Sequence, residues 1–99
     1  MNYFISYDIS KNRYRNRAAK ILLRHGAVRV QKSVFFLDEA PPGLVRQLSD
    51  ELKELLCDTG DDDSVLLIQV EQDWLDRVNM VGRNEAFEEA RKKHITRFF

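Results

Sequence analysis

The chain has 99 residues, 43% hydrophobic and 32% charged, with sixteen basic and sixteen acidic side chains that leave no net charge. That length suits one domain with a single modest core and excludes a two-domain enzyme, and no apolar run approaches the ~20 residues of a membrane span. A lone cysteine, Cys57, excludes an internal disulfide and has no ligand-spaced partner for zinc, and with a start that lacks a secretion signal this points to the cytoplasm and to no membrane partner.

The chain opens on a strand over residues 2–8. Tyr3, Ile5 and Tyr7 alternate with Phe4, Ser6 and Asp8, both sets carry aromatic or aliphatic residues, and such a strand expects cover on two faces. It ends on the Asp8 carboxylate, and Ser10 or Asn12 is placed to cap the helix that follows, residues 12–25. Ala18, Ile21, Leu22 and His25 give that helix its apolar stripe, widened by Ala19 and Leu23, and Gly26 suits its C-terminal end. The β-branched and aromatic run from Ala27 to Leu37 is too long for one plain strand. It reads as two, broken by a tight turn or bulge near Gln31, Lys32 and Ser33, with Val28, Val30, Val34 and Phe36 set against Phe35 and Leu37.

Pro41 and Pro42 stop the strand and start a helix over residues 42–56, with Leu44, Val45, Leu48, Leu52, Leu55 and Leu56 on one side. An acidic turn over 57–63 lacks the spaced oxygens of a calcium loop. Residues 64–70 form a strand apolar on both faces, so the sheet side away from the helices is expected to be buried against a partner. A loop anchored by Trp74, a short edge strand over 77–81 closed by Gly82, a helical tail over 84–93 with Ala86, Phe87 and Ala90 on one side, and two docking aromatics at the terminus complete the chain. The order is βαββαβ with an added strand, an α+β ferredoxin-like antiparallel sheet backed by two helices. Residues 1–82 make that domain, and 83–99 a tail for docking or interaction.

The charge is unevenly distributed. Residues 1–37 hold eight basic side chains against Asp8 alone, residues 38–76 two basic against twelve acidic, and the last 23 residues six against three. A neutral protein with so basic a first third presents local positive potential, which is what attracts phosphate, although a solvated helix face has the same composition. A carboxylate at a strand end beside Arg13, Arg15 and Arg17 suits phosphodiester chemistry. The carboxylate holds a hard divalent cation or orients water, and the guanidinium forks grip phosphate. A turn or capping role for Asp8 fits the same position.

Tyr7, Asp8, Ile9 and Ser10, then Arg15, Asn16 and Arg17, then Gly26 followed by Arg29, Val30, Gln31 and by Ser33, Val34, Phe35, closely resemble the CRISPR-associated protein 2 family, and the likeness spans about residues 1–82, including the strand at Asp63 to Val65 and the ending at Val78 to Gly82. The resemblance implies a ferredoxin-like homodimer whose two sheets face each other, which accounts for the two-sided strands. It implies a Mg2+-dependent endonuclease on single-stranded RNA or duplex DNA, with Asp8 and its symmetry mate as the metal-binding catalytic pair. Arg15, Arg17 and Arg29 become nucleic-acid contacts, and Tyr7, Ser33 and Phe35 supporting residues. It also implies a place in spacer acquisition beside the CRISPR integrase. In that role a catalytically silent DNA-binding scaffold is the alternative; a toxin-type ribonuclease of similar fold fits the Arg29 to Phe35 stretch less well.

Overall fold

The computed structural model describes residues 1–98, excepting the side chains of residues 75, 76, 90 and 93–98. The chain runs β1 (Asn2–Asp8), α1 (Asn12–Arg24), β2 (Val28–Gln31), β3 (Val34–Leu37), α2 (Pro42–Leu56), β4 (Ser64–Val70), the one-turn α3 (Trp74–Arg77) and α4 (Glu85–Phe98). The strands form one antiparallel sheet in the order β2-β3-β1-β4, as the ferredoxin-like expectation requires. β1 lies at its centre, with Ile5 opposite both Phe35 and Leu67 and with Asp8 opposite Ser64.

Strand alternation divides the apolar residues between two cores. Ile5, Tyr7, Phe35 and Leu37 pack under Tyr14, Ala18, Ala19 and Leu22 of α1 and Leu48, Leu52 and Leu55 of α2. Ile5, Leu22 and Leu48 are wholly inaccessible, and full burial of such a side chain stabilises the fold by roughly 1.5–3 kcal/mol. Gly26 takes a φ of +92°, which reverses the chain from α1 into β2 as its sequence position suggests. On the other sheet face Val30, Phe36, Trp74 and Phe87 form a second cluster, joined by Phe4, Val28, Val34, Val70, Val78 and Met80. The Trp74 ring is its centre, 4.1 Å from Phe36, 5.1 Å from Phe4 and 6.0 Å from Phe87.

This second cluster changes two expectations. No strand forms over residues 77–81. Trp74 instead starts a helical turn, the Val78 amide bonds to the Trp74 carbonyl at 3.0 Å, and Val78 and Met80 turn inward onto the aromatic rings. The face expected to need a partner is covered over β2 and β3 by the chain's own C-terminal segment. Asn84 fastens that segment: its side-chain amide donates to the Val30 carbonyl, and its Oδ1 accepts the Phe87 amide at 2.9 Å. On β4 the cover reaches Val70 but not Leu66 and Ile68, which are 60% and 50% exposed.

The α1 stripe is shifted as well. Leu23 is exposed while Tyr14 is buried in the core that α1 and α2 cover. Neither Ser10 nor Asn12 caps α1; the N-cap is Lys11, without a side-chain bond, since both neighbours are engaged elsewhere. The docking expected of the terminal aromatics lies outside the described residues. Among the described residues no helix is long and apolar enough to cross a membrane.

Candidate nucleic-acid interface

Tyr7 joins the end of β1 to the turn between β2 and β3. Its amide donates to the Ser33 carbonyl at 3.0 Å, and its hydroxyl donates to the Lys32 carbonyl at 3.3 Å. The same hydroxyl accepts a bond of 3.4 Å from Nη2 of Arg29. Arg29 stands opposite Phe35 in the β2–β3 pair, and its guanidinium carbon lies 5.0 Å from the Phe35 ring centre. Phe35 is wholly buried, with its ring 6.0 Å from that of Tyr7, so the two aromatics form a fixed floor against which an otherwise exposed arginine is held. A cation fixed in this way loses less side-chain entropy on meeting an anion.

This corner is one wall of a cleft of about 450 Å³ lined by Tyr7, Asn12, Arg15, Asn16, Arg29, Lys32 and Ser33. Asn12 and Asn16 come from one face of α1 by their i, i+4 spacing, and Lys32 and Ser33 from the turn. Three cations, two amides and two hydroxyls face the cleft, and no carboxylate does. It suits a phosphate group and excludes a cationic ligand. Arg15 is the least free of the three cations. Its Nη1 donates to the carbonyls of Ile9 at 3.1 Å and Ser10 at 2.9 Å, and its Nη2 to Oδ1 of Asn12 at 3.3 Å.

Asp8 stands outside the cleft lining. It follows Tyr7 in a pleated strand, so it points to the opposite sheet face, where it is exposed. No described group donates a hydrogen bond to its carboxylate, and no cluster of three or more His, Cys, Asp or Glu able to hold a metal occurs among the described residues. Both oxygens are therefore open to a ligand. Mg2+ is commonly held by one or two carboxylates together with water and substrate phosphate, and Asp8 fits as one member of such a set but not as a complete site. Nearby, Oδ1 of Asp63 accepts both the amide and the hydroxyl of Ser10, each at 3.0 Å. Burial pushes the Asp63 carboxyl up, but the bonds from Ser10, together with those from Gly60 and Thr59, outweigh it and hold the group below its ordinary value.

The structure gathers Tyr7, Arg15, Arg29 and Ser33 at the cleft, with Phe35 beneath it. Arg17 is placed elsewhere. Its guanidinium carbon is 5.8 Å from the Tyr14 ring centre, and it borders a groove of about 400 Å³ between α1 and α2 shared with Lys20, Arg24, Glu51, Glu54 and Asp58. The acids there offset its charge. Four residues of this region escape the sequence reading as contributors to the site: Asn12, Asn16, Lys32 and Asp63. The helical spacing of the two asparagines with Arg15 was a usable signal, and Asp63 stands in a stretch that carries the family resemblance, although its approach to Ser10 joins residues 53 positions apart and no local pattern shows it.

Residues 1–78 match the family model of CRISPR associated protein Cas2. The curated CRISPR-associated endoribonuclease Cas2 2 of Pyrobaculum aerophilum is 28% identical over 82 residues, spanning 83% of this chain and 87% of that protein. The crystal structure of Streptococcus pyogenes Cas2 shares the fold, with a TM-score of 0.71 at 24% identity over 83% of this chain and 100% of the other. A hypothetical protein from Thermus thermophilus gives a TM-score of 0.62 at 28% identity over 84% of this chain and 92% of the other.

Proposed function

The chain belongs to the CRISPR-associated Cas2 family, and from that premise we propose that it is a metal-dependent endonuclease acting on single-stranded RNA or duplex DNA in spacer acquisition. The observation that carries this reading is the carboxylate-free cleft of Arg29, Lys32, Tyr7 and Ser33 at the same end of β1 as the exposed carboxylate of Asp8, which lies on the opposite sheet face. In it Arg29 and Lys32 hold a backbone phosphate, Arg29 being pre-set by the Phe35 ring and the Tyr7 hydroxyl. The amides of Asn12 and Asn16 and the Ser33 hydroxyl fix the strand's path by neutral hydrogen bonds. Asp8 holds Mg2+ with the Asp8 of a second copy, and the cation when bound supplies Lewis-acid stabilisation of the charge developing on phosphate. The second copy covers the exposed Leu66 and Ile68 of β4, and the homodimer meets the CRISPR integrase.

One observation favours a second reading, a catalytically silent DNA-binding scaffold: among the described residues Asp8 belongs to no group of three or more His, Cys, Asp or Glu able to hold a metal, and it lies across the sheet from the cleft. The two readings separate on cleavage of labelled single-stranded RNA and duplex DNA across a magnesium titration, with wild type and Asp8→Ala prepared identically. Cleavage that needs metal and is lost with Asp8 is the expected result. Absence of cleavage, with salt-dependent duplex binding retained in both proteins, establishes the scaffold instead.

A further inference from the structure

The Asp8 carboxylate accepts no hydrogen bond among the described residues, so its position depends on the backbone around it. That backbone is held on one side by the ladder with β4, which ends at the Asp8 to Ser64 pair. On the other side the chain leaves the sheet through residues 9–11, where Ile9 is buried in the core while Ser10 and Lys11 are exposed, and an exposed segment of that kind ordinarily moves. Here it is fastened from two directions by groups of opposite charge. The Asp63 carboxylate takes the loop's donors, the amide and hydroxyl of Ser10. The Arg15 guanidinium takes its acceptors, the carbonyls of Ile9 and Ser10.

The placement of Asp63 is specific. It immediately precedes Ser64, the residue opposite Asp8, so its side chain bonds Ser10 just where the backbone ladder of β1 and β4 stops. Charge-assisted bonds of this kind are about twice as strong as neutral ones, and two donors on one oxygen restrict both the path and the rotation of the loop. We propose that Asp63 is a positioning residue for Asp8, locking with Arg15 the loop that fixes where the Asp8 carboxylate stands. The role rests on Asp8 being the catalytic carboxylate, and it differs from ligation: an asparagine, whose Oδ1 accepts the same two bonds, replaces a positioning aspartate but not a metal-binding one.

The test compares wild type, Asp63→Asn and Asp63→Ala in magnesium-dependent cleavage of labelled single-stranded RNA and duplex DNA, with amide exchange at Ser10 measured on the same proteins. In Asp63→Ala, kcat falls about tenfold to a hundredfold while KM for nucleic acid stays within about twofold, because displacing the carboxylate by a fraction of an ångström to 1 Å leaves the phosphate cleft intact. Asp63→Asn keeps kcat within about threefold and keeps the Ser10 amide protected, whereas Asp63→Ala exposes it. Unchanged kcat in Asp63→Ala overturns the proposal, and so does equal damage from both variants, which marks a ligand. Should Asp63→Ala fail to fold, Ser10→Ala removes one of the two bonds and lowers kcat by a smaller factor at unchanged KM; no loss there overturns it equally. If wild type cleaves neither substrate, the nuclease reading fails by itself. The lock is then judged on exchange alone, and a Ser10 amide equally protected in Asp63→Ala overturns it.

Discussion

The two faces of β1 are built from adjacent residues and end in different chemistry. Tyr3, Ile5 and Tyr7 look into the core under α1 and α2, and that face finishes in the cation-lined cleft. Phe4 looks into the aromatic cluster around Trp74, and its face finishes in the exposed carboxylate of Asp8. The helix face is closed by two long helices of the same domain. The other is closed by one tryptophan, a short turn and α4, which leave Leu66 and Ile68 of β4 exposed. Grip and acid are thus separated by the thickness of the sheet, so a substrate that reaches both must pass around the end of β1.

Substitutions that strike one face at a time test that division. Trp74→Ala removes the centre of the second cluster and is expected to cost about 3–5 kcal/mol, with amide exchange rising first in α4 while β1 and α2 remain protected. Leu48→Ala, which opens a cavity under the helices, is expected to cost about 2–5 kcal/mol and to loosen the whole sheet together. Both are read by denaturant melts with residue-level exchange. If the two variants lose protection in the same pattern, the faces are one cooperative unit.

A smaller effect separates the cleft from the groove between α1 and α2. Arg29→Ala with Lys32→Ala should weaken nucleic-acid binding and lower the slope of log K against log salt by about two, near one per lost phosphate contact. Arg17→Ala with Lys20→Ala, whose charges face Glu54 and Asp58, should change that slope by less than about one. Equal slopes for the two pairs would move the interface onto α1 as a whole.

The smallest expected effect concerns the helix pair. Glu51 lies 2.6 Å from Nε2 of His25 and 2.9 Å from Nη2 of Arg24, and the His25 bond first, with Arg24 adding to it, holds its carboxyl below the ordinary 4.5. A carboxyl lowered by folding stabilises the native state above its unfolded value, and that contribution is lost as pH falls through the folded one. Wild type should therefore melt slightly higher than Glu51→Gln at neutral pH, with the gap closing below pH 4.5. A gap that persists in acid would assign the difference to packing.

Much of this was legible in the chain. Period-two alternation in residues 2–8 and 64–70, the leucine stripe of α2, Gly26 after α1 and the break at residues 31–33 are local signals, and the elements form where those signals stand. The family motifs brought Tyr7, Arg15, Arg29 and Ser33 forward together, and they share one cleft. Arg15 and Arg17 look equivalent in the sequence and are not, because residues two apart on a helix point about 200° from each other.

By itself the sequence determined the order of elements, the split of apolar residues between two sheet faces and the basic character of the first third. All three depend on neighbours within a few residues. Only the tertiary structure decided that residues 77–81 pack instead of pairing, since an edge strand and an aromatic cluster compete for the same side chains. It also decided that Asp63 meets Ser10 and that Arg15 and Arg29 line one cleft with Tyr7. Those contacts join distant positions, and their energies exist only once the sheet has brought the ends of β1 and β4 together.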